Sequence, residues 1–275
     1  MLISFLQTVY TALYTKWQMV YTWIMNETKF KQLNPWLYSK NFKSAANNLE
    51  KRFIYKKILK YLNNRLIVSL EGPRRLGKTT LLQQIIHSLV IKNKDNVFFY
   101  EFSETDNNLS SFFEYINNNL NKKCYVLLDE IQHVKNWQSV IKLNYDLYPK
   151  LHIVVTGSLS ISYKKSKESL LGRIMPLKLD FLSFGEYLYL KYKQNYNKFD
   201  FLNPKGTVNV NNVYQNLQNY NEYLQIGDLT KLLDFKSKSV SRDFIEKSVL
   251  DFFFTRDSLF SHFLKVLYIK KNEQP

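Results

Sequence analysis

GPRRLGKTT, from Gly72 to Thr80, is the most specific indication of the fold in this chain. It fits the pattern G-x-x-x-x-G-K-[ST], in which glycines let backbone N–H groups approach a phosphate and the following helix N-terminus adds partial positive charge. Lys78 is expected to reach the β- and γ-phosphates of a nucleotide, and the Thr79 hydroxyl to coordinate Mg²⁺. The predicted nucleotide-binding residues are Gly72, Pro73, Arg74, Arg75, Leu76, Gly77, Lys78, Thr79 and Thr80.

Both flanks of this loop support a phosphate-binding role. Residues 65–70 (RLIVSL) form a short apolar run that predicts a buried strand, and the pattern over 80–91 predicts a helix. Further strands are predicted at 96–102, 124–129, 152–158 and 174–179, with helices at 109–120 and 137–148. Continuous apolar strands alternating with amphipathic helices predict a three-layer α/β/α fold with a parallel sheet, the P-loop NTPase plan.

The predicted organisation has four parts. An amphipathic N-terminal helix and extension occupy residues 1–44, and the α/β domain spans 45–190. A linker or exposed insertion rich in Lys, Asn, Tyr and Asp follows at 191–212, and residues 213–275 are expected to be helical. Within the domain, the stretch 45–63 is predicted to be one helix, with Leu49, Phe53, Ile54, Ile58 and Leu62 on one side.

An acidic pair stands about 50 residues after the loop lysine, as expected for a P-loop ATPase. In YVLLDE, four apolar or aromatic residues lead into Asp129 and Glu130. Asp129 is expected to hold Mg²⁺, and Glu130 to orient and polarise the attacking water. The alternative for the pair alone is an ordinary strand end.

Three more residues are candidates for sensing the γ-phosphate. Thr156 and Ser158 close the fourth predicted strand, and side chains at the carboxyl ends of parallel strands face the ligand crevice. The alternative is a simple Thr-Gly-Ser turn. Arg173 is a candidate for contacting phosphate or a neighbouring subunit, and its alternative is a surface cation before a strand.

The charge of the chain favours polyanionic partners. There are 39 Lys and Arg residues against 23 Asp and Glu residues, a formal net charge of +16. Nucleic acid, an anionic membrane or an acidic protein face would suit this surplus, whereas dispersed surface lysine is the plainer explanation. The single cysteine, Cys124, excludes an internal disulfide framework and is expected in a buried strand, which fits a cytoplasmic location.

The N-terminal 25 residues are apolar and aromatic but are interrupted by Gln7, Lys16 and Gln18. No uninterrupted run approaches the roughly 20 residues that a membrane span needs, so integral insertion is not expected. Apolar residues recur at helical spacing, which favours packing on the core or on a partner. Lying on a membrane surface, and a disordered extension or a misassigned start, are the alternatives.

Several motifs, in their order and spacing, resemble one known family. GPRRLGKTTLL, VLLDEIQHVKNWQSVIKLNYD, VVTGSLS, LLGR and LDFLSFGEYL are similar to the AAA-type ATPases of archaea and bacteria with GPRR-type loops and a DEIQ-type second motif. The resemblance covers residues 35–190 and is weaker over 220–257. Longer members often carry a C-terminal nuclease-like domain, which is expected to be missing here.

This resemblance implies a Mg²⁺-dependent ATPase in which residues 72–80 bind ATP, Asp129 and Glu130 serve the metal and hydrolysis, and Thr156 or Ser158 is the sensor. A homo-oligomer or a partner protein is possible. A nucleotide-dependent DNA-binding module or switch with little turnover is the alternative function, and an inactive remnant is a third.

Overall fold

The computed structural model describes residues 27–39, 42, 44–157, 170–193 and 217–223. Most of the predicted N-terminal helix, the predicted linker, most of the C-terminal helical region and Ser158 lie outside these residues. The described chain divides at Asp180 into two compact units, residues 1–180 and 181–275. The four-part organisation predicted from the sequence stays a prediction.

The first unit is built on a five-stranded sheet. Its strands are β1 (Ile67–Glu71), β2 (Val97–Glu101), β3 (Cys124–Asp129), β4 (Leu151–Gly157) and β5 (Ile174–Lys178). Their order in space is β2-β3-β4-β1-β5, and every neighbouring pair is parallel. The parallel sheet predicted from the sequence is therefore confirmed, with strand ends within two residues of the expected positions. All carboxyl ends lie on one edge, and the loop after β1 lies on that edge.

Helices cover both faces of this sheet. They are α1 (residues 27–33), α2 (Tyr55–Asn63), α3 (Lys78–Asn93), α4 (Leu109–Tyr115) and α5 (Trp137–Leu147). Alternate strand residues such as Phe98, Val126 and Ile153 belong to the core cluster that contains the apolar residues of α4 and α5. Helix α3 packs against β2 and β3, and α2 against β1 and β4. Successive residues of each strand point to opposite faces, so the sheet packs against helices on both sides. With the strand order β2-β3-β4-β1-β5 and the glycine loop after β1, the described elements have the P-loop NTPase-like α/β fold.

The single helix predicted over residues 45–63 is wrong. The chain forms a 3-10 helix at Ala45–Asn48 and then a separate α2. Leu49 and Phe53, expected on the buried side, are 52% and 59% exposed.

The side chain of Gln84 supplies the physical reason for this break. From α3, its amide nitrogen donates to the backbone oxygens of Ala46, Leu49 and Glu50, at 3.3, 3.0 and 3.3 Å. These carbonyls are the acceptors that a continuous helix would use internally. A contact from a residue 34 to 38 positions away replaces the helical bonds, so local periodicity does not foresee it.

The second unit is described over residues 181–193 and 217–223. Helix α6 (Phe184–Tyr192) is capped by Ser183, whose hydroxyl accepts from the backbone N–H of Glu186. Tyr223 donates its hydroxyl to the Leu182 carbonyl at 2.7 Å, and Lys191 pairs with Glu222. In the described ranges no helix is both long enough and apolar enough to cross a membrane.

Candidate nucleotide-binding site

The phosphate loop runs from the end of β1 to the start of α3. Gly77 has a left-handed backbone, with φ of 84°, and stands directly before Lys78, the first residue of α3. A residue with a Cβ is disfavoured in this conformation, which accounts for the glycine. Leu76 is fully buried, whereas Arg74 and Arg75 are exposed. The loop therefore has an apolar anchor and presents its arginines outward.

Hydrogen bonds from the neighbouring strand β5 and from Arg52 hold this loop in place. The Leu179 N–H, directly after β5, donates to the Glu71 carbonyl at 2.6 Å. Arg52, which is 8% exposed, donates to the Leu76 carbonyl at 3.1 Å and to the Asp180 carbonyl at 3.0 Å. Sequence reasoning missed Arg52, because a lone arginine before α2 carries no motif. Its guanidinium joins the loop to the end of β5.

Gly72→Ala is expected to displace the loop. A Cβ at this position would lie 2.3 Å from the Leu179 carbonyl oxygen, and that atom belongs to the backbone. We expect ATP affinity to fall about tenfold or more and the free energy of unfolding to drop by about 1–3 kcal/mol. Nucleotide titration and urea unfolding measure the two effects.

Gly172→Ala is the matched control for this substitution. Gly172 has φ of 77° and no atom within 4 Å of an added Cβ, so the change strains the backbone without a clash. It should cost about 1–2 kcal/mol of stability and leave ATP affinity unchanged. Equal ATP affinities for Gly72→Ala and the wild type would contradict the argument from loop shape.

Lys78 is drawn back onto its own loop. Its ammonium donates to the Gly72 carbonyl at 2.9 Å and to the Pro73 carbonyl at 2.8 Å, and the residue is 5% exposed. Burial lowers the pKa of Lys78, whereas the negative charges of Glu130 and Asp129 act in the opposite direction. The lysine therefore lies within electrostatic reach of both predicted acids.

Asp129 lies at the centre of the site and is fully buried. The Thr79 hydroxyl donates to its Oδ2 at 2.6 Å, and the Thr156 hydroxyl donates to its Oδ1. The backbone N–H of Glu130 also points to Oδ1, at 3.1 Å. The hydroxyls of Thr79 on α3 and Thr156 on β4 thus hold the two carboxylate oxygens of Asp129, the last residue of β3.

Glu130 follows Asp129 with a left-handed backbone, at φ of 53°. Its carboxylate accepts a hydrogen bond from the side-chain amide of Gln132. Its backbone N–H lies 3.4 Å from the Thr156 hydroxyl oxygen as well as near Asp129. The predicted water-activating residue thus adjoins the predicted metal ligand.

Glu101 is an acid that the sequence interpretation did not single out. It ends β2 and is paired in register with Asp129 on β3, so the two side chains share the α3 face. Burial raises the pKa of Glu101, and the charge of Asp129 adds to this shift. A recognisable signal was present, because Glu101 closes an apolar strand as Asp129 does.

The three sensor candidates differ in where they lie relative to the phosphate loop. Thr156, fully buried at the end of β4, contacts Asp129 directly, and Ser158 is outside the described residues. Arg173 precedes β5 and therefore lies at the amino edge of the parallel sheet, opposite the phosphate loop. There it pairs with Asp146 at 2.8 Å, so the structure does not bring it to this chain's own phosphate loop. Contact with a neighbouring subunit stays a prediction.

The donor set suits a magnesium ion. Thr79 and Asp129 offer hard oxygen atoms 2.6 Å apart, at the end of a helix that begins in the phosphate loop. Mg²⁺ prefers such oxygens, and it usually keeps several water molecules in addition to one or two protein ligands. Thr79 and Asp129 are therefore the residues that would hold the ion.

The sheet order, the glycine loop and the buried aspartate define a P-loop nucleotide-binding domain. Residues 64–188 match the model of a family described as an AAA domain. This part of the chain is therefore similar to AAA-type P-loop ATPase domains.

Two curated relatives show similarity to this region. An uncharacterized protein of Methanocaldococcus jannaschii is 35% identical over 162 residues, covering 54% of this chain and 34% of the relative. An uncharacterized protein of Haemophilus influenzae is 28% identical over 144 residues, covering 49% of this chain and 36% of the relative. The chain thus spans about a third of the length of the curated relatives it matches.

Two solved structures show a looser likeness. The Walker-type ATPase of Pyrococcus abyssi has a TM-score of 0.46 and 14% identity, with 85% of this chain and 80% of that chain covered. AMPPCP-bound DnaA from Aquifex aeolicus has a TM-score of 0.44 and 16% identity, with 80% and 70% covered. The fold assignment itself rests on the sheet order and the loop.

Proposed function

We propose that this chain binds ATP together with Mg²⁺ and hydrolyses the bond between the bridging oxygen and the γ-phosphorus. One observation carries the proposal: Lys78, Thr79, Asp129 and Glu130 converge at the carboxyl edge of one sheet, with Thr79 2.6 Å from Asp129. A bound Mg²⁺ would neutralise phosphate charge and hold the β- and γ-phosphates in one geometry.

The protein residues bind the phosphates, orient Asp129 and accept a proton from the attacking water. Backbone N–H groups of the loop and the start of α3 cradle the phosphates, and Lys78 leaves its loop carbonyls to reach the phosphate oxygens. Thr156 keeps Asp129 oriented from β4 and is the sensor candidate. Glu130 accepts a proton from the attacking water, which is general-base catalysis in the loose sense.

Glu130→Gln is expected to abolish turnover while keeping nucleotide binding. The amide has nearly the same shape as the carboxylate but cannot take up the proton, so the rate of ATP hydrolysis should fall about 100-fold or more. Phosphate release measures the rate, and titration with a fluorescent ATP analogue measures affinity. Glu104→Gln, an exposed change in the loop after β2, should leave both unchanged.

The same measurement decides between turnover and a switch. Wild-type hydrolysis no faster than that of Glu130→Gln, with and without DNA, would contradict the ATPase proposal and favour a nucleotide-dependent DNA-binding module. The +16 net charge is the reason for the DNA arm, which is run at low and high salt because phosphate contacts weaken as salt rises.

We also propose membership of the archaeal and bacterial family with GPRR-type loops and a DEIQ-type second motif. The residues that support it are GPRRLGKTT at 72–80 and DEIQ at 129–132. We also propose a cytoplasmic location, because a chain with a single cysteine, here buried in β3, cannot form a disulfide framework of its own. We also propose that the chain assembles with further copies of itself or with a partner protein.

A further inference from the structure

Gln132 lies beside the proposed general base. It belongs to the 3-10 turn Ile131–His133, which follows directly after the left-handed Glu130. Its side-chain nitrogen donates to the Oε2 of Glu130. This contact assigns the orientation of the amide, because only its nitrogen can donate to a carboxylate.

The other end of the same amide is unsatisfied. Gln132 Oε1 is buried and accepts no hydrogen bond from any described residue. Buried polar atoms nearly always have a partner, so an orphaned acceptor points to a water molecule or a ligand donor. Two acceptors, the Glu130 carboxylate and Gln132 Oε1, are therefore held together by one hydrogen bond, and only the second lacks a donor.

A water molecule that attacks phosphorus needs two such acceptors. Its lone pair must point along the line of the breaking bond, so both of its O–H bonds point away from the phosphorus. We propose that Gln132 is a catalytic residue whose Oε1 accepts a hydrogen bond from one O–H group of the attacking water, while the Glu130 carboxylate accepts a hydrogen bond from the other. This inference rests on the proposed hydrolysis of ATP.

The step balances without any proton exchange at Gln132. The water oxygen forms a bond to the γ-phosphorus, and the bond from that phosphorus to the bridging oxygen breaks. ADP leaves with the electron pair, and the proton from water passes to the Glu130 carboxylate. Gln132 contributes direction only, since an amide oxygen accepts a hydrogen bond but does not take up a proton at neutral pH.

Gln132→Leu tests the proposal, because leucine is of similar size but neither donates nor accepts hydrogen bonds. The rate of hydrolysis should fall about 100-fold, whereas affinities for ATP and ADP should change less than about twofold. Capture of ADP with aluminium fluoride should weaken strongly, because that complex mimics the transition state and holds the attacking water in place. Gln138→Leu, six residues further on α5, is the matched control and should behave as wild type.

A second variant separates direct contact from mere positioning of Glu130. In a Glu130→Gln background, Gln132→Leu should still weaken capture of ADP with aluminium fluoride, because it removes its own contact with the water. If the loss disappears in that background, Gln132 acts only through Glu130 and the proposal is wrong.

Two further outcomes keep this inference distinct from the proposed function. Gln132→Leu protein that hydrolyses ATP and captures the analogue as wild type does would overturn the role of Gln132 and leave the ATPase intact. Wild-type protein that neither hydrolyses ATP nor captures the analogue would overturn the proposed function, and this inference with it.

Discussion

Lys78→Ala is expected to weaken ATP binding about 100-fold or more, which corresponds to about 3 kcal/mol. The ammonium is the only loop cation that combines burial with closeness to both predicted acids, since Arg74 and Arg75 are exposed. Charge-assisted contacts to phosphate in a buried site are strong, because water does not replace them.

The folded protein without nucleotide should tolerate this loss well. Lys78 is desolvated in the phosphate loop, and among the described residues its ammonium donates only to the carbonyls of Gly72 and Pro73. Removing it therefore removes a desolvation cost together with two hydrogen bonds. We expect the free energy of unfolding to change by less than about 1 kcal/mol. Urea unfolding without ATP measures this quantity beside the binding titration.

Two comparison variants sharpen the test. Lys92→Ala removes an exposed lysine from the last turn of the same helix, α3, and should leave ATP affinity unchanged. Lys78→Arg keeps the charge but brings a planar guanidinium that a site shaped for a compact ammonium cannot accept, so affinity should stay low. ATP bound by Lys78→Ala with wild-type affinity would mean that the loop does not bind phosphate in the proposed way.

The sequence foretold most of the sheet and the centre of the site, for an identifiable reason. Buried parallel strands are continuous apolar runs, and their carboxyl ends are marked by polar residues that face the ligand edge. Cys124–Asp129 is the clearest case, with all six residues buried and the predicted boundaries reproduced. The loop and the acids were predictable because each directly follows such a strand.

Contacts between distant side chains and backbone were not predictable. Gln84 breaks the expected helix by binding carbonyls over 30 residues earlier in the chain, and Arg52 holds a loop 24 residues later. Neither residue differs in the sequence from an ordinary surface side chain. Arg173 is a different case: its position just before a predicted strand already implied the amino edge of the sheet, away from this chain's own phosphate loop, and contact with a neighbouring subunit stays a prediction.

Asn34→Ala is expected to destabilise the protein strongly, and this residue lies outside the nucleotide site. Asn34 is fully buried, and its side chain pairs with β2 as a neighbouring strand would. Its amide nitrogen donates to the Phe99 carbonyl at 2.9 Å, and its oxygen accepts from the Phe99 N–H at 2.7 Å. The nitrogen also donates to the Phe30 carbonyl at 2.8 Å.

The cost follows from the groups that would be left without partners. Alanine would leave the N–H and the carbonyl of Phe99 without hydrogen-bond partners in the interior, at a cost of about 1–3 kcal/mol each. The free energy of unfolding should therefore fall by roughly 3–5 kcal/mol. The midpoint of urea unfolding measures this loss. Asn144→Ala removes one side-chain hydrogen bond, from the Asn144 amide nitrogen to the Val140 carbonyl at 2.9 Å within α5. It should lower the free energy of unfolding by less than about 1 kcal/mol.

Asn34 is part of a wider cover over the free edge of the sheet. Within the described order, β2 is an outer strand, and a bare outer strand invites pairing with another chain. Trp36 donates to the Val97 carbonyl at 2.8 Å, and Lys29 donates to the Glu101 carbonyl at 2.6 Å. Side chains from residues 29–36 thus engage the outward carbonyls of alternate residues along β2.

This cover also bears on the nucleotide site, because β2 ends beside Asp129. Glu101 and Asp129 are register partners, and the Phe102 N–H donates to the Asp129 carbonyl at 3.1 Å. If Asn34→Ala frees the edge, the variant should aggregate faster on warming, and ATP affinity should fall in the fraction that stays folded. A variant as stable and as monodisperse as Asn144→Ala would show that the sheet edge does not depend on Asn34.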